Sequence, residues 1–276
     1  ANITLKGDIL TVWSWLDNYK AIHKDDSYFR TRALFSLTGD ITDKVSGGVV
    51  TGAHGVWDKP KYNLLANVPK KGDTKLYNAY LKIKDVLDSK IDLTLGRYFM
   101  GEVEDALFYY GPTRNGRFLE VTALDGIKAE IPVGPMTLLT AAAKEVKTRA
   151  GGTAEPPRRQ NVFALELYDN ELFENQDIKT FVYGRYQKVS SEDDNLILYG
   201  FEAKGKLPIQ GLRYLTTVAI DAGTNDGPTG VTEHGKYKGY LWRILGYYDM
   251  DTKLGYLMPW GGYVFVSGDA AAGDGK

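Results

Sequence analysis

The chain has 276 residues, a net charge of −1 and no cysteine, with 43% hydrophobic and 25% charged residues. That balance excludes a polybasic nucleic-acid binder, an acidic disordered tail, a disulfide framework, thiolate metal sites and a cysteine nucleophile. No run approaches the ~18 apolar residues of a membrane-spanning helix, whereas 19 Tyr and 31 Gly suit a strand-rich protein with Tyr at membrane interfaces.

The chain opens at Ala1 directly on strand-like sequence, as expected of a mature exported protein. Period-2 alternation then predicts strands over residues 2–14, 27–38, 45–57, 76–86, 90–100, 118–131 and 136–148. It continues over 161–169, 177–189, 196–206, 212–221, 237–248 and 254–267. Each segment is near the ~9–11 residues of a tilted bilayer-crossing strand. Strands of soluble sandwiches are nearer ~5–6 residues.

Several segments have one apolar and one charged face. In 76–86, Ala79, Leu81 and Ile83 alternate with Lys82 and Lys84, and in 161–169 Phe163, Leu165 and Leu167 oppose Glu166. In 212–221, Leu212, Tyr214, Thr216, Val218 and Ile220 alternate with Arg213, Leu215, Thr217, Ala219 and Asp221. In 237–248, Tyr240, Trp242 and Ile244 oppose Arg243. A membrane barrel turns the apolar set to lipid and the charged set to a wet lumen, whereas a soluble sandwich buries the apolar set. Alternation alone fits both.

Arg97 shares parity with Ile91, Leu93 and Leu95, so it is expected on the lipid side near the outer rim. A charge costs only about 0–1 kcal/mol there. Residues 45–57 and 254–267 are Gly-rich and give no clear face, and a bulge could re-aim either.

The connections carry more information. Those after alternate strands are short: Gly39–Lys44, Leu87–Ser89, Pro132–Pro135, Asn170–Gln176, Leu207–Gly211 and Asp249–Lys253. The intervening ones are mostly long and polar, as in 58–75, 101–117, 149–160 and 222–236; Ser190–Asn195 is the short member. Short turns on one side and long loops on the other are expected of an outer-membrane barrel.

On the inward parity the cations are Lys6, Arg30, Arg32, Lys82, Lys84, Lys128, Lys179, Arg185, Lys204, Arg213 and Arg243. The anions are Asp8, Asp92, Glu130, Glu166, Glu202 and Asp221, which leaves a positive excess. Fixed charge in a narrow channel concentrates counter-ions, so weak anion preference is one expectation, led by Arg30, Arg32, Arg185, Arg213 and Arg243. The other is that these arginines pair with the lumen carboxylates and brace the wall. Trp13, Trp15, Trp57, Tyr98, Phe99, Tyr109 and Tyr110 fall toward the outer rim, as an interfacial girdle or a sugar-stacking track.

Catalysis has little support. His23, His54 and His234 are scattered, and Ser46 lies too far along its strand from His54 for a Ser–His pair. No phosphate loop or zinc motif appears, and no cofactor is implied. The acidic stretches Asp25–Asp26 and Glu192–Asp194 read as solvated loops, with calcium or lipopolysaccharide-bridging cations as the alternative.

The segments Ile3–Asp8, Tyr28–Arg32, Ala79–Asp85, Leu93–Arg97, Leu124–Lys128 and Ser267–Asp269 resemble those of large outer-membrane porins of the alginate-export type. The resemblance covers most of the chain through short motifs. It implies an all-β, antiparallel, up-and-down transmembrane barrel occupying 1–276 as one domain, with about 16–18 strands when complete. Thirteen segments and an end at Gly273–Lys276 depart from that pattern, so closing strands are expected beyond the chain.

The expected function is an outer-membrane pore for passive diffusion of small hydrophilic solutes, anions included, rather than an enzyme. Its expected surroundings are outer-membrane lipid and lipopolysaccharide, with a homo-oligomer or cell-surface assembly as a candidate association. The rivals are a loop-plugged barrel acting as a scaffold or binding protein, and a soluble secreted β-protein that binds polysaccharide.

Overall fold

A computed structural model describes residues 2–16, 26–56, 74–102, 107–112, 121–148, 159–169, 173–189, 192–225, 235–253 and 255–267. The strands are β1 (Ile3–Leu16), β2 (Asp26–Asp40), β3 (Val45–Val56), β4 (Thr74–Ile83), β5 (Asp92–Tyr98), β6 (Val121–Val133), β7 (Met136–Thr148) and β8 (Arg159–Asp169). They continue as β9 (Gln176–Val189), β10 (Glu192–Lys206), β11 (Leu212–Asn225), β12 (Gly235–Tyr237), β13 (Tyr240–Tyr248), β14 (Met250–Thr252), β15 (Gly255–Leu257) and β16 (Trp260–Val266). The protein is all-β. Its main sheet is antiparallel and runs in chain order from β1 to β11, then to β13 and β16, with β12 on β11 and β14–β15 a separate ribbon. That thirteen-strand path matches the predicted segments in number and order. Among the described residues no ladder closes the sheet on itself.

Local chemistry explains where the predicted bounds move. Segment 254–267 is two elements: Gly255–Leu257 folds back on Met250–Thr252, and only Trp260–Val266 joins β13. Pro259 lies between them and has no N–H for a ladder, though its carbonyl accepts from Tyr248 N at 3.0 Å. Segment 237–248 breaks at Lys238–Gly239, where the Asp221 carboxylate accepts the Gly239 N–H. The turn after β4 is longer than Leu87–Ser89. It contains a one-turn 3-10 helix, Val86–Asp88, with Asp85, Leu87, Asp88 and Lys90 all at positive φ.

The β3–β4 pairing does contain a bulge, but it falls on β4 rather than within 45–57: the register steps from Val50↔Asn78 to Thr51↔Leu76 and leaves Tyr77 as the extra residue. It buries both Tyr77 and Asn78, consecutive residues that a regular strand would send to opposite faces.

The chain divides into two compact units, residues 1–127 with 144–157, and residues 128–143 with 158–276. In the first unit, Leu5, Leu37, Val49, Ala79 and Arg97 are successive cross-strand partners on one face. Leu5 and Leu37 there are 72% and 49% exposed. The opposite face holds buried Arg32 and Leu34.

In the second unit, Phe201, Val218, Trp242 and Phe265 form an exposed cross-strand row. The neighbouring positions Lys179, Glu202, Thr217 and Arg243 form a row on the other face, and the last three are buried. Glycine serves this packing at Gly184: a Cβ there would meet the ring of its partner Phe163, which lies across the gap and stacks on Tyr186 at 5.6 Å.

Candidate functional site: a buried ion-pair row

The strand register of the second unit builds the row upward from sequence. Tyr168 pairs with Lys179, Lys179 with Glu202, Glu202 with Thr217 and Thr217 with Arg243, so period-2 alternation brings all five to one face. Glu202 is the centre. Its carboxylate lies 3.2 Å from Lys179 Nζ and 3.4 Å from Arg243 Nη2, and it accepts the Thr217 hydroxyl at 2.9 Å. Thr217 Oγ1 in turn accepts Arg243 Nη2 at 2.9 Å, so one hydroxyl bridges acid and base as donor and acceptor together. On the same face the Glu166 carboxylate accepts the Tyr183 hydroxyl at 2.9 Å.

Five more of the candidate cations also lie beside acids. Arg32 lies 3.6 Å from Asp8, Lys82 3.0 Å from Asp92, Lys128 3.0 Å from Glu130 and Arg185 3.3 Å from Asp194. Lys204 lies at the 4.0 Å limit from Asp177. The wall is therefore charged but largely self-neutralised. Of the acids, Asp177, Asp194 and Asp249 were absent from the inward set. They stand at or beyond strand ends, and only the register couples them to a cation.

Three candidates lie at strand ends, away from the row. Lys84 is exposed and lies past the end of β4, its N–H donating to the Lys44 carbonyl at 2.8 Å. Arg213 turns to the rim: Asp249 takes its Nε at 2.6 Å and Nη2 at 2.9 Å, Met258 Sδ lies 3.1 Å away, and the guanidinium sits 5.4 Å from the Tyr247 ring centre. Asp221 holds the β11–β13 connection through Gly239. The side chains of Arg30, His54 and Trp15 lie outside the described residues, as do His23, His234, Trp57 and Asp25. Most of 58–75, 149–160 and 222–236, and residues 103–106 and 113–120, lie outside them too.

In the first unit the connection after β5 returns over the charged face. Met100 and Tyr110 exchange backbone hydrogen bonds at 2.9 and 2.7 Å, and Pro112 bridges Val121. Phe108 is buried and packs edge-on to Tyr110 at 5.1 Å. Tyr109 and Tyr77 both lie within electrostatic reach of Arg32 on β2.

This changes the girdle expectation. Trp13 is 60% exposed, but Tyr98 is buried with its hydroxyl on the Ile127 carbonyl, and Phe99 packs on the Leu34–Tyr77–Val121 cluster. Alternation placed Tyr240 and Trp242 on the apolar face of β13 but did not find their aromatic partners on β16. There Tyr240 stacks on Phe265 at 5.5 Å, and Trp242 meets Tyr263 at 6.0 Å. Their signal was the unfaced Gly-rich segment 254–267, which register alone could orient.

At the rim, Asp249 carries a testable pH dependence. The Arg213 hydrogen bonds, and then that from the Tyr256 hydroxyl, hold its carboxyl below the usual carboxylate range. A depressed folded pKa contributes stability that is present above the unfolded value and lost as pH falls through the folded one. Acidification below the ordinary carboxylate range is thus expected to release Tyr256 and loosen the β14–β15 ribbon, followed as a shift in Tyr256 ring proton resonances. Asp249→Asn should abolish that step, and a step that persisted in this variant would assign it to another group.

Among the described residues no group of three His, Cys, Asp or Glu side chains could hold a metal ion, and no helix is long and apolar enough to cross a membrane. No family model matches the chain, and no curated protein matches it significantly.

Proposed function

We propose that the chain is the wall of an outer-membrane β-barrel pore that passes small hydrophilic solutes by diffusion. One observation carries the reading. Within each unit large apolar residues lie exposed on one face of the sheet while charged and polar groups are buried on the other. In the second unit Val218, Ile220, Tyr240, Trp242 and Ile244 are each more than 40% exposed, against 6% for both Glu202 and Arg243. A protein surrounded by water gains by the reverse arrangement, whereas a wall between lipid and a polar interior gains by this one. The length of the strands, and the likeness to alginate-export porins carried by the segments quoted above, support the same reading.

Ion pairing modifies the expected selectivity. A cation whose field is cancelled at about 3 Å by a carboxylate attracts solute anions far less than a bare one, so the anion preference is small and the permeant class is broad. Planar-bilayer recording of the full-length protein under a salt gradient tests this. Stable unitary conductance with a reversal potential near zero, displaced slightly toward anions, is the expected result. Steep anion or cation selectivity would contradict the paired wall.

The plugged barrel is a second reading because the connection after β5 buries Phe108 and brings Tyr109 within electrostatic reach of Arg32. Correctly inserted protein that carries no current would favour it, with a scaffold or binding role in a cell-surface assembly. A chain that stays soluble without detergent would instead favour the secreted polysaccharide binder.

A further inference from the structure

We propose that Met258 is an oxidation site, and that its sulfoxide tightens the connection between β13 and β16 instead of loosening it. Arg213, at the start of β11, holds both ends of that connection. Asp249, where the chain enters it, takes Arg213 Nε at 2.6 Å and Nη2 at 2.9 Å. The Tyr256 hydroxyl on β15 donates to the same carboxylate. Met258, where the chain leaves it, presents Sδ to Nη2 at 3.1 Å. A primary guanidinium nitrogen carries two N–H groups, so Nη2 serves the carboxylate with one and the sulfur with the other. The sulfur contact is the weak one, because a thioether is a poor acceptor for a charged donor.

Exposure singles out this sulfur. Of the four methionines, Met258 is 37% exposed, Met136 and Met250 are half-buried, and Met100 is buried. A dissolved oxidant must reach the sulfur, so Met258 reacts first. With a peroxide, a sulfur lone pair attacks one oxygen, and the S–O bond forms as the O–O bond breaks. The departing hydroxide takes the proton of the transferred oxygen and leaves as water. Sulfur is oxidised by two electrons and the peroxide is reduced by two. The new oxygen faces a guanidinium N–H already aimed at the sulfur, so a strong, charge-assisted acceptor replaces a weak one. The flexible Met258 side chain can back away to make room for it. The Asp249 carboxylate keeps Nε and the other Nη2 hydrogen. A thiol-dependent sulfoxide reductase restores the thioether and the weaker contact.

Hydrogen peroxide titration of the full chain in its folded state, read by peptide mass spectrometry, tests the site. Met258 is expected to gain one oxygen several-fold faster than Met136 or Met250. Amide hydrogen exchange then tests the consequence. In the oxidised protein the β14–β15 ribbon, in which Met250 pairs with Leu257 and Thr252 with Gly255, should exchange several-fold more slowly than in the reduced one. Met258→Gln brings a side-chain amide oxygen within reach of the same N–H, and should slow the ribbon without peroxide. Met258→Leu keeps the bulk of the side chain and should leave the ribbon insensitive to peroxide. Oxidation of Met136 or Met250 as fast as Met258 would overturn the site. Ribbon exchange that was unchanged or faster after oxidation would overturn the tightening, since faster exchange is what an added polar group in an apolar contact produces by itself. Slowing that persisted in Met258→Leu would assign the effect to another methionine and overturn the proposal as well.

Discussion

Replacing Glu202 by alanine is expected to destabilise the inserted protein by about 3–5 kcal/mol. Its carboxylate is the common partner of Lys179 and Arg243, and Glu202 and Arg243 are both only 8% exposed at the side chain. Removing the acid leaves two largely buried cations with one hydroxyl between them, and an uncompensated buried charge costs more than the lost pair was worth. Glu202→Gln should cost less, because an amide oxygen can still accept the Thr217 hydroxyl. Replacing the three together (Lys179→Met, Glu202→Leu and Arg243→Met) should be close to neutral, since the desolvation penalty leaves with the charges. Denaturant unfolding in vesicles, read by the heat-dependent gel shift, gives the ordering. A cost below about 1 kcal/mol for Glu202→Ala would mean that water screens the row as it does a surface salt bridge.

The same variants report on function. On the pore reading, a neutral residue at 202 leaves Lys179 and Arg243 unmatched in the solute path, and reversal potentials under a salt gradient should move distinctly toward anions. Wild-type selectivity in Glu202→Gln would show that solutes do not pass this row.

The Arg97–Asp125 pair probes the other face, and the sign of its double replacement separates the membrane reading from the soluble one. Arg97 points out among apolar residues, as its parity requires, with Asp125 on its Nε at 2.6 Å and Nη2 at 2.8 Å and the Leu76 carbonyl on its Nη1 at 3.2 Å. In lipid, deleting Asp125 leaves a guanidinium facing hydrocarbon, which costs about 2–4 kcal/mol toward the midplane and about 0–1 near the interface. The retained Leu76 contact and a position one residue from the end of β5 place the expected loss at the interfacial end, about 0–1 kcal/mol. In water the same half-exposed pair would be worth only about 0.2–1 kcal/mol. The double variant Arg97→Leu, Asp125→Leu reverses the sign: it should stabilise a bilayer-embedded wall and promote aggregation of a water-soluble protein. Double-mutant analysis in vesicles, with unfolding followed by tryptophan emission, measures both quantities.

Much of the fold was readable along the chain because a strand's side chains alternate with a period of two residues. Thirteen segments, their order, and the faces of Leu81, Glu166, Val218, Trp242 and Arg243 follow from that period. Arg97 was assigned to the apolar side against its chemistry, and it lies there because Asp125 compensates it. What failed was local. Pro259 cut a segment that composition made look continuous, and Lys84 continued an alternation past Ile83, the last residue of β4.

The sequence by itself determined the secondary structure and the two-faced character of the wall, because burial pattern and strand pleat share one period. Which acid meets which base was decided only in three dimensions. Asp194 reaches Arg185, Asp249 reaches Arg213 and Tyr109 reaches Arg32 through register, turn geometry and a returning connection. None of these has a fixed spacing in the chain. The balance between a cationic channel and a braced, neutral wall depends on those pairings, since a field cancelled within about 3–4 Å is invisible to any count of charges.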